Sequence, residues 1–354
     1  GFGVGSTLVP NEAGTKANLF ASIGPDREGG IVLSGHTDVV PVDGQPWTTD
    51  PWTLTEKDDG NLYGRGTCDM KGFVAACLSH VPAFQKARLK VPMHFAFSYD
   101  EEIGCLGVRP MIAEFGTRLV KPRMVFVGEP TSMSVVDSHK GPVRWHIEIK
   151  GRAAQWSMAP LGVNAISVAG KLLRELADIE HELKLRPQDP RFDPPYATLQ
   201  VTRIDGGTAT NIVPISCRLD FDVRAIPGVD IAAIDRRVRA FAANVCLPDM
   251  RRIAPEAAID VAIANQVPPF SAGSHSEAVA LALQLAGQNE THAVSYATEA
   301  GLFQVAGSPA VVIGPGDIAQ AHTADEWIAK DQLDKCSVFL GRLGEWAEHG
   351  SAVR

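Results

Sequence analysis

The sequence predicts an α/β protein: a mostly parallel mixed sheet covered by helices, with a smaller α+β domain inserted. Three observations carry this reading. Four short apolar runs have the length and side chains of strands buried on both faces. Helix-like segments lie between several of them. The middle of the chain instead alternates apolar and polar residues and holds longer amphipathic helices.

The buried runs are Ile31-Val32-Leu33, Phe95-Ala96-Phe97, Met124-Val125-Phe126-Val127 and Ala310-Val311-Val312-Ile313. A helix is expected from Lys71 to Ala87. In the middle, Val143 to Ile149 alternates as a half-buried strand. Asn164 then opens a helix with Ala165, Ala169, Leu172, Leu176 and Leu183 on one face. Strands follow at 197–204 and 215–224. A second helix starts near Asp230, with Ile231, Ile234, Val238, Phe241 and Val245 in register, and a strand at 259–264 closes the segment. This β-α-β-β-α-β order is that of a ferredoxin-like split βαβ sandwich. Residues 1–142 and 268–354 are therefore assigned to the core domain and 143–267 to the insert, with Pro142 and Pro268-Pro269 as hinges.

With 354 residues, 45% hydrophobic and 21% charged, the chain can bury a large core. Its net charge of −8 and lack of a Lys/Arg run argue against nucleic acid or an anionic membrane as partner. No uncharged apolar stretch approaches the roughly 18 residues of a membrane span. The opening Gly1-Phe2-Gly3 carries no secretory pattern, so a cytoplasmic setting is expected. The six cysteines are scattered without a CxxC pair, which reads as reduced structural thiols.

Metal-capable side chains follow each core run: His36 and Asp38 after the first, Asp100-Glu101-Glu102 after the second, Glu129 after the third, and Asp317 and His322 after the fourth. A fifth segment, Gly64 to Gly72, carries Asp69 and leads into a helix. Open α/β sheets gather ligands at the carboxyl ends of their strands. Taken singly, His36 reads as a hydrogen-bonded loop histidine, Asp69 as a helix cap, Glu101-Glu102 as a solvated turn, Glu129 as a loop charge, and His322 as one of ten histidines. Together they read as a metal site.

The chemistry suits two zinc ions, which accept imidazole nitrogen and carboxylate oxygen. One Asp, two Glu and two His give each ion a terminal His, a terminal Glu and the shared Asp, with a bridging water between. Asp38 is placed to hold the free N–H of His36. Glu101 is then left over, suited to take a proton from the water and return it to a leaving amine.

Gly35-His36-Thr37-Asp38-Val39-Val40-Pro41, Gly64-Arg65-Gly66 with Asp69-Met70-Lys71-Gly72, Asp100-Glu101-Glu102 and Gly128-Glu129-Pro130-Thr131 resemble the signatures of the zinc aminoacylase and carboxypeptidase superfamily. The resemblance runs over nearly the whole chain. It implies that His36, Asp69 and Glu129 hold one zinc and that Glu102, Asp69 and His322 hold the other, with Glu101 as general base and acid. Cobalt is expected to substitute. It further implies a cis peptide at Asp69-Met70, and an insert that serves as a lid or pairs two chains into a homodimer.

Softer signals, Glu102-Ile103-Gly104-Cys105, Gly206-Gly207-Thr208, Asn211 to Pro214 and Thr298 to Phe303, resemble the acetylornithine deacetylase branch. Asn211 and Arg224 match positions where relatives contact substrate, and an Arg fork suits a carboxylate. A strand-surface salt bridge accounts for Arg224 equally well. Two departures stand out. Relatives carry a histidine, which helps stabilise the oxyanion, where this chain reads Gln155-Trp156, and glutamine donates only a neutral hydrogen bond. Relatives also begin with a further helix and strand ahead of Gly1.

Three readings follow. The first is deacylation of a small N-acyl amino acid, ornithine-like by signature, to give ornithine and acetate as in arginine biosynthesis. The second is a dipeptidase or carboxypeptidase of altered specificity. The third is a weakly active binder of metal or small molecules, against which Glu101 argues, since a pure binder has no use for a base.

Overall fold

The computed structural model describes residues 2–186 and 188–350. Two compact units emerge. The first runs to His139, returns for Phe270–Ala293 and resumes at Thr298; the second comprises Lys140–Pro269 and Val294–Ala297. Its N-terminal edge therefore lies just ahead of Pro142, and its C-terminal edge falls at the hinge proline Pro269. The short return at 294–297, assigned from the sequence to the core domain, belongs with the insert. Lys140 N donates to Val294 O, and Ser295 Oγ donates to Asp193 O at 2.7 Å. Nothing in the composition of those four residues announces this.

In chain order, the first unit opens with β1 (Ser6–Pro10), β2 (Ala17–Ile23), β3 (Ile31–His36), β4 (Thr55–Glu56) and β5 (Asn61–Tyr63). Next come α1 (Gly72–Lys86), β6 (Met93–Ser98), α2 (Val108–Ala113), β7 (Met124–Val127) and β8 (Val136–His139). The second unit supplies β9 (Gly141–Lys150), α3 (Ala165–Leu185), β10 (Thr198–Gly206), β11 (Ser216–Ala225), α4 (Ile231–Phe241), α5 (Leu247–Ile253) and β12 (Ala258–Gln266). The chain ends with β13 (Phe270–Ser271), α6 (Glu277–Ala286), β14 (His292–Val294), α7 (Ala300–Val305), β15 (Ala310–Val312), β16 (Trp327–Ala329) and α8 (Lys330–His349).

The large sheet has the order β1-β2-β6-β3-β7-β15-β8-β13, with β14 beside β8. The four runs picked out from the sequence are its centre, where β6, β3, β7 and β15 pair in parallel. β3, β6, β7 and β15 are buried along their whole length, as continuous apolar strands covered on both faces should be. Phe73, Val81 and Phe84 of α1 pack into one core cluster with Phe339, Leu340, Leu343 and Trp346 of α8. The antiparallel flanks include β13, two residues long, too short to show a period. β16, β5 and β4 form a separate small sheet.

The second unit is a four-stranded antiparallel sheet ordered β10-β11-β9-β12, the split βαβ arrangement. β9 alternates buried and less buried residues along its length. Trp145 stacks on Phe221 across the strands, with centroids 4.8 Å apart and planes 2° from parallel. The side chain of Asn164 caps α3 by accepting from Ser167 N at 3.0 Å. The second helix departs from its expected register at Val245, which is exposed. A π turn at Ala242–Cys246 follows α4. Each of its hydrogen bonds spans one residue more than an α turn, so Ala242 and Cys246 face inward and Val245 is rotated out.

Candidate metal centre and active site

The residues singled out at the strand ends converge. His36 is the last residue of β3 and is buried. Asp69 lies in the turn Thr67–Lys71 that leads into α1, and the Asp69-Met70 peptide is cis. Glu101 and Glu102 follow β6, after Asp100 turns the chain at φ 54°. Glu129 follows β7 through Gly128, where a Cβ would sit 2.1 Å from the ring of Phe73, so only glycine fits. His322, at φ 61°, follows the short turn Ile318–Gln320 beyond β15.

Asp69 is the hub. Its Oδ1 lies 2.9 Å from His36 Nε2, and its Oδ2 lies 3.1 Å from His322 Nε2. Glu129 Oε1 is 3.8 Å from the same His36 nitrogen, and Glu102 Oε2 is 3.1 Å from the same His322 nitrogen. The five side chains thus form two halves, each with one imidazole and one glutamate, joined by one aspartate. Glu101 shares a cluster of ligand atoms with His36 and Glu129.

Electrostatics follow from crowding carboxylates into a largely buried cluster open to solvent at His322. Burial favours protonation of Asp69, yet its hydrogen bonds to His322 and His36 hold it well below the usual carboxylate range. Burial, aided by Asp69 and opposed by His36, pushes Glu129 well above that range. Burial pushes Glu101 up to about 8, with His36 opposing and Glu299 adding to the rise. Hydrogen bonds to Asp69 and Glu102 raise His322 to about 10. Burial opposes the charging of His36, but Asp38, Asp69 and nearby glutamates carry it well above its ordinary value.

Asp38 supports the site differently from the sequence expectation. The imidazole Nδ1 of His36 is 2.9 Å from the backbone carbonyl of Asp38, while the carboxylate Oδ1 stands at 3.6 Å, beyond good hydrogen-bond range. The carboxylate works on the next loop instead, where its Oδ2 accepts Glu102 N at 3.0 Å. Backbone geometry of this kind has no signature in residue spacing.

Two buried acids escaped the sequence reading. Glu326 pairs with Arg65 and accepts the amides of Gly66, Cys68 and Asp69, so it grips the loop that presents Asp69. Glu299 accepts the hydroxyls of Ser34 and Ser98. Arg65 and Glu299 fall within motifs picked out from the sequence, but nothing in a linear pattern showed what they touch.

The substrate-contact candidates lie in the second unit. Gln155 is exposed and bridges Ile212, and Trp156 N donates to Asn211 O at 3.1 Å, so Gln155 and Asn211 are neighbours. Arg224 lies near the far end of β11 from that pair, and its Nε donates to Asp222 Oδ1 at 2.8 Å on the strand surface.

The donor set fits divalent cations. Two imidazoles and four carboxylates meet, with His36, Asp69 and Glu129 buried and His322 half exposed, and Glu102 Oε1 is buried without a hydrogen-bond partner. Oxygen and imidazole ligands in this proportion suit zinc or a similar borderline ion. Sheet, strand-end loops and shared carboxylate together define a metal-dependent hydrolase.

The chain belongs to peptidase family M20/M25/M40, whose sequence profile matches residues 32–345. It is 35% identical over 345 residues to the acetylornithine deacetylase of Proteus mirabilis, covering 98% of this chain and 86% of that protein. It is 33% identical over 342 residues to the acetylornithine deacetylase of Pasteurella multocida, covering 96% and 86%. Among solved structures, an M20 family metallo-carboxypeptidase of Sulfolobus solfataricus superposes with a TM-score of 0.72 at 19% identity, covering 98% and 91%. A dinuclear metal-binding M20 peptidase of Bacillus subtilis gives 0.64 at 16%, covering 98% and 88%. At these identities the structures speak for the fold. Among the described residues, no helix is long and apolar enough to cross a membrane.

Proposed function

We propose that this protein is a two-zinc amidohydrolase that releases acetate from N-acetylornithine. The observation that carries the reading is the division of Asp69 between His36 and His322, the arrangement a shared carboxylate needs between two cations. The deacetylases at 33–35% identity point to the substrate. His36, Asp69 and Glu129 would hold one cation; Glu102, Asp69 and His322 would hold the other. When bound, such a pair supplies an acidified water and a Lewis acid for the amide carbonyl.

The chain's own groups do the rest. Glu101 takes a proton from the attacking water and returns it to the departing amine. Cys105 Sγ donates to Glu101 Oε1 at 3.1 Å and so limits where that carboxylate points. Asp38 fixes His36 through its carbonyl and Glu102 through its carboxylate. Asn211 and Gln155 are assigned to the substrate, and Arg224 to its carboxylate. A homodimer forms through the inserted unit, whose edge strand β10 is largely exposed from Arg203 to Gly206. Six free, buried cysteines fit a reducing, cytoplasmic setting.

The test is acetate and ornithine release from N-acetylornithine by protein loaded with zinc or cobalt. Turnover well above that of Glu101→Ala supports the reading, and none above that control refutes it. Gln155, standing where relatives carry histidine, favours a second reading, a dipeptidase or carboxypeptidase of altered specificity. A panel of dipeptides and N-acyl amino acids separates the two. Light scattering that finds only monomer removes the dimer.

A further inference from the structure

Glu299, just ahead of α7, is only 1% exposed. Its Oε1 accepts Ser98 Oγ at 2.5 Å and its Oε2 accepts Ser34 Oγ at 3.2 Å. These serines belong to the two neighbouring parallel strands that deliver the site. Ser34 precedes His36 on β3, and Ser98 ends β6, pairs in register with His36 and leads to Glu101 and Glu102. Among the described residues, Glu299 has no Lys or Arg partner.

Two hydroxyls alone compensate a buried carboxylate poorly. Burial raises the Glu299 carboxyl, with Asp38 adding to the rise and Ser98, His36 and Ser34 opposing it, and Glu299 in turn helps to raise Glu101. A group that served only to tie strands together would do so better as a neutral amide. A group that served to attract cations would need its charge.

We propose that Glu299 is a positioning residue of the metal centre, tying the ends of β3 and β6 and, by its buried charge, strengthening the hold of His36 and its neighbours on divalent cations. This rests on the two-cation reading above. It separates two quantities that a purely structural role would move together, the stability of the metal-free chain and its affinity for metal.

The experiment strips the full chain with a chelator, measures its melting temperature, and titrates zinc against a chromophoric competitor. Glu299→Gln keeps the shape and one acceptor but removes the charge. It should weaken zinc affinity by about 10-fold, the low end of the range for loss of a group bonded directly to a ligand, since Glu299 acts on the ligands only through Ser34, Ser98 and its charge. The stripped variant should melt no lower than the stripped wild type. Ser98→Ala keeps the charge and removes one tie, and should weaken zinc binding less than Glu299→Gln does. Unchanged affinity in Glu299→Gln overturns the proposal. So does a fall in stripped stability alongside affinity, failure of that variant to fold, or an equal loss in Ser98→Ala. If the wild type itself takes up no zinc, the two-cation reading fails first and this proposal with it, and the sample that fails tells the two apart.

Discussion

Arg65 Nη1 lies 2.6 Å from Glu326 Oε2, and each side chain is only 1% exposed. The two come from segments far apart in sequence and meet beneath the turn that presents Asp69. Glu326 Oε1 accepts Cys68 N at 2.9 Å and Asp69 N at 3.1 Å, while Oε2 also accepts Gly66 N at 3.0 Å. One carboxylate thus holds the cation of Arg65 and three backbone amides of the loop around the residue that both histidines share.

Glu326→Ala should therefore be severe. It leaves Arg65 buried without its counter-charge and three amides without acceptors, and breaking one side of a buried pair costs about 3–5 kcal/mol. The double variant Arg65→Met, Glu326→Leu should recover part of that loss, since no lone charge remains. Urea unfolding of the three proteins checks the order. Equal stability of Glu326→Ala and wild type would show that the pair contributes little.

Asp69→Asn tests the shared carboxylate. Asparagine keeps the shape but offers one acceptor oxygen, so it cannot serve His36 and His322 alike. Metal content should fall below two cations per chain, with affinity lost beyond the roughly 100-fold upper range for outer partners. Elemental analysis after dialysis measures it. Two tightly held cations in the variant would rule out the bridging role.

How much of this was legible in the sequence depends on distance along the chain. His36 and Glu129 follow directly from buried apolar strands, so one rule about strand ends located them. Their partners in the site were placed by the same rule and by resemblance. Glu299 and Glu326 were not assigned because each acts on residues far away in sequence, Ser34 and Ser98 in one case and Arg65 to Asp69 in the other. The exposed Val245 shows a second limit. A period of 3.6 carries a helix register only until a π turn adds a residue, and no composition cue marks that turn.

Gln155 carries a prediction about catalysis rather than metal. If the glutamine amide donates to the oxyanion, Gln155→Ala lowers kcat by about 10²–10³-fold. KM and zinc content should change little, because the contact tightens only in the transition state. Gln155→His should retain activity and restore a donor that can carry charge. Steady-state kinetics on the three proteins decides it, and an unchanged kcat in Gln155→Ala would remove Gln155 from the reaction.

The cysteines supply a prediction whose sign comes from their thiol pKa values. All six are free and buried. Burial pushes Cys336 up to about 12 and Cys77 well above its ordinary value, and burial with Glu101 and Glu299 nearby does the same to Cys105. Disulfide reagents attack the thiolate, and a raised pKa keeps the proton on. At pH 8 a thiol of pKa 12 is ionised in about one molecule in ten thousand. The native protein should therefore react with a chromogenic disulfide reagent only as fast as it opens. Guanidinium should release all six thiols together in the unfolding transition rather than one by one. A thiol that titrates within seconds in native buffer would mean that at least one of these sulfurs reaches solvent, and its identity by mass spectrometry would show which packing contact is wrong.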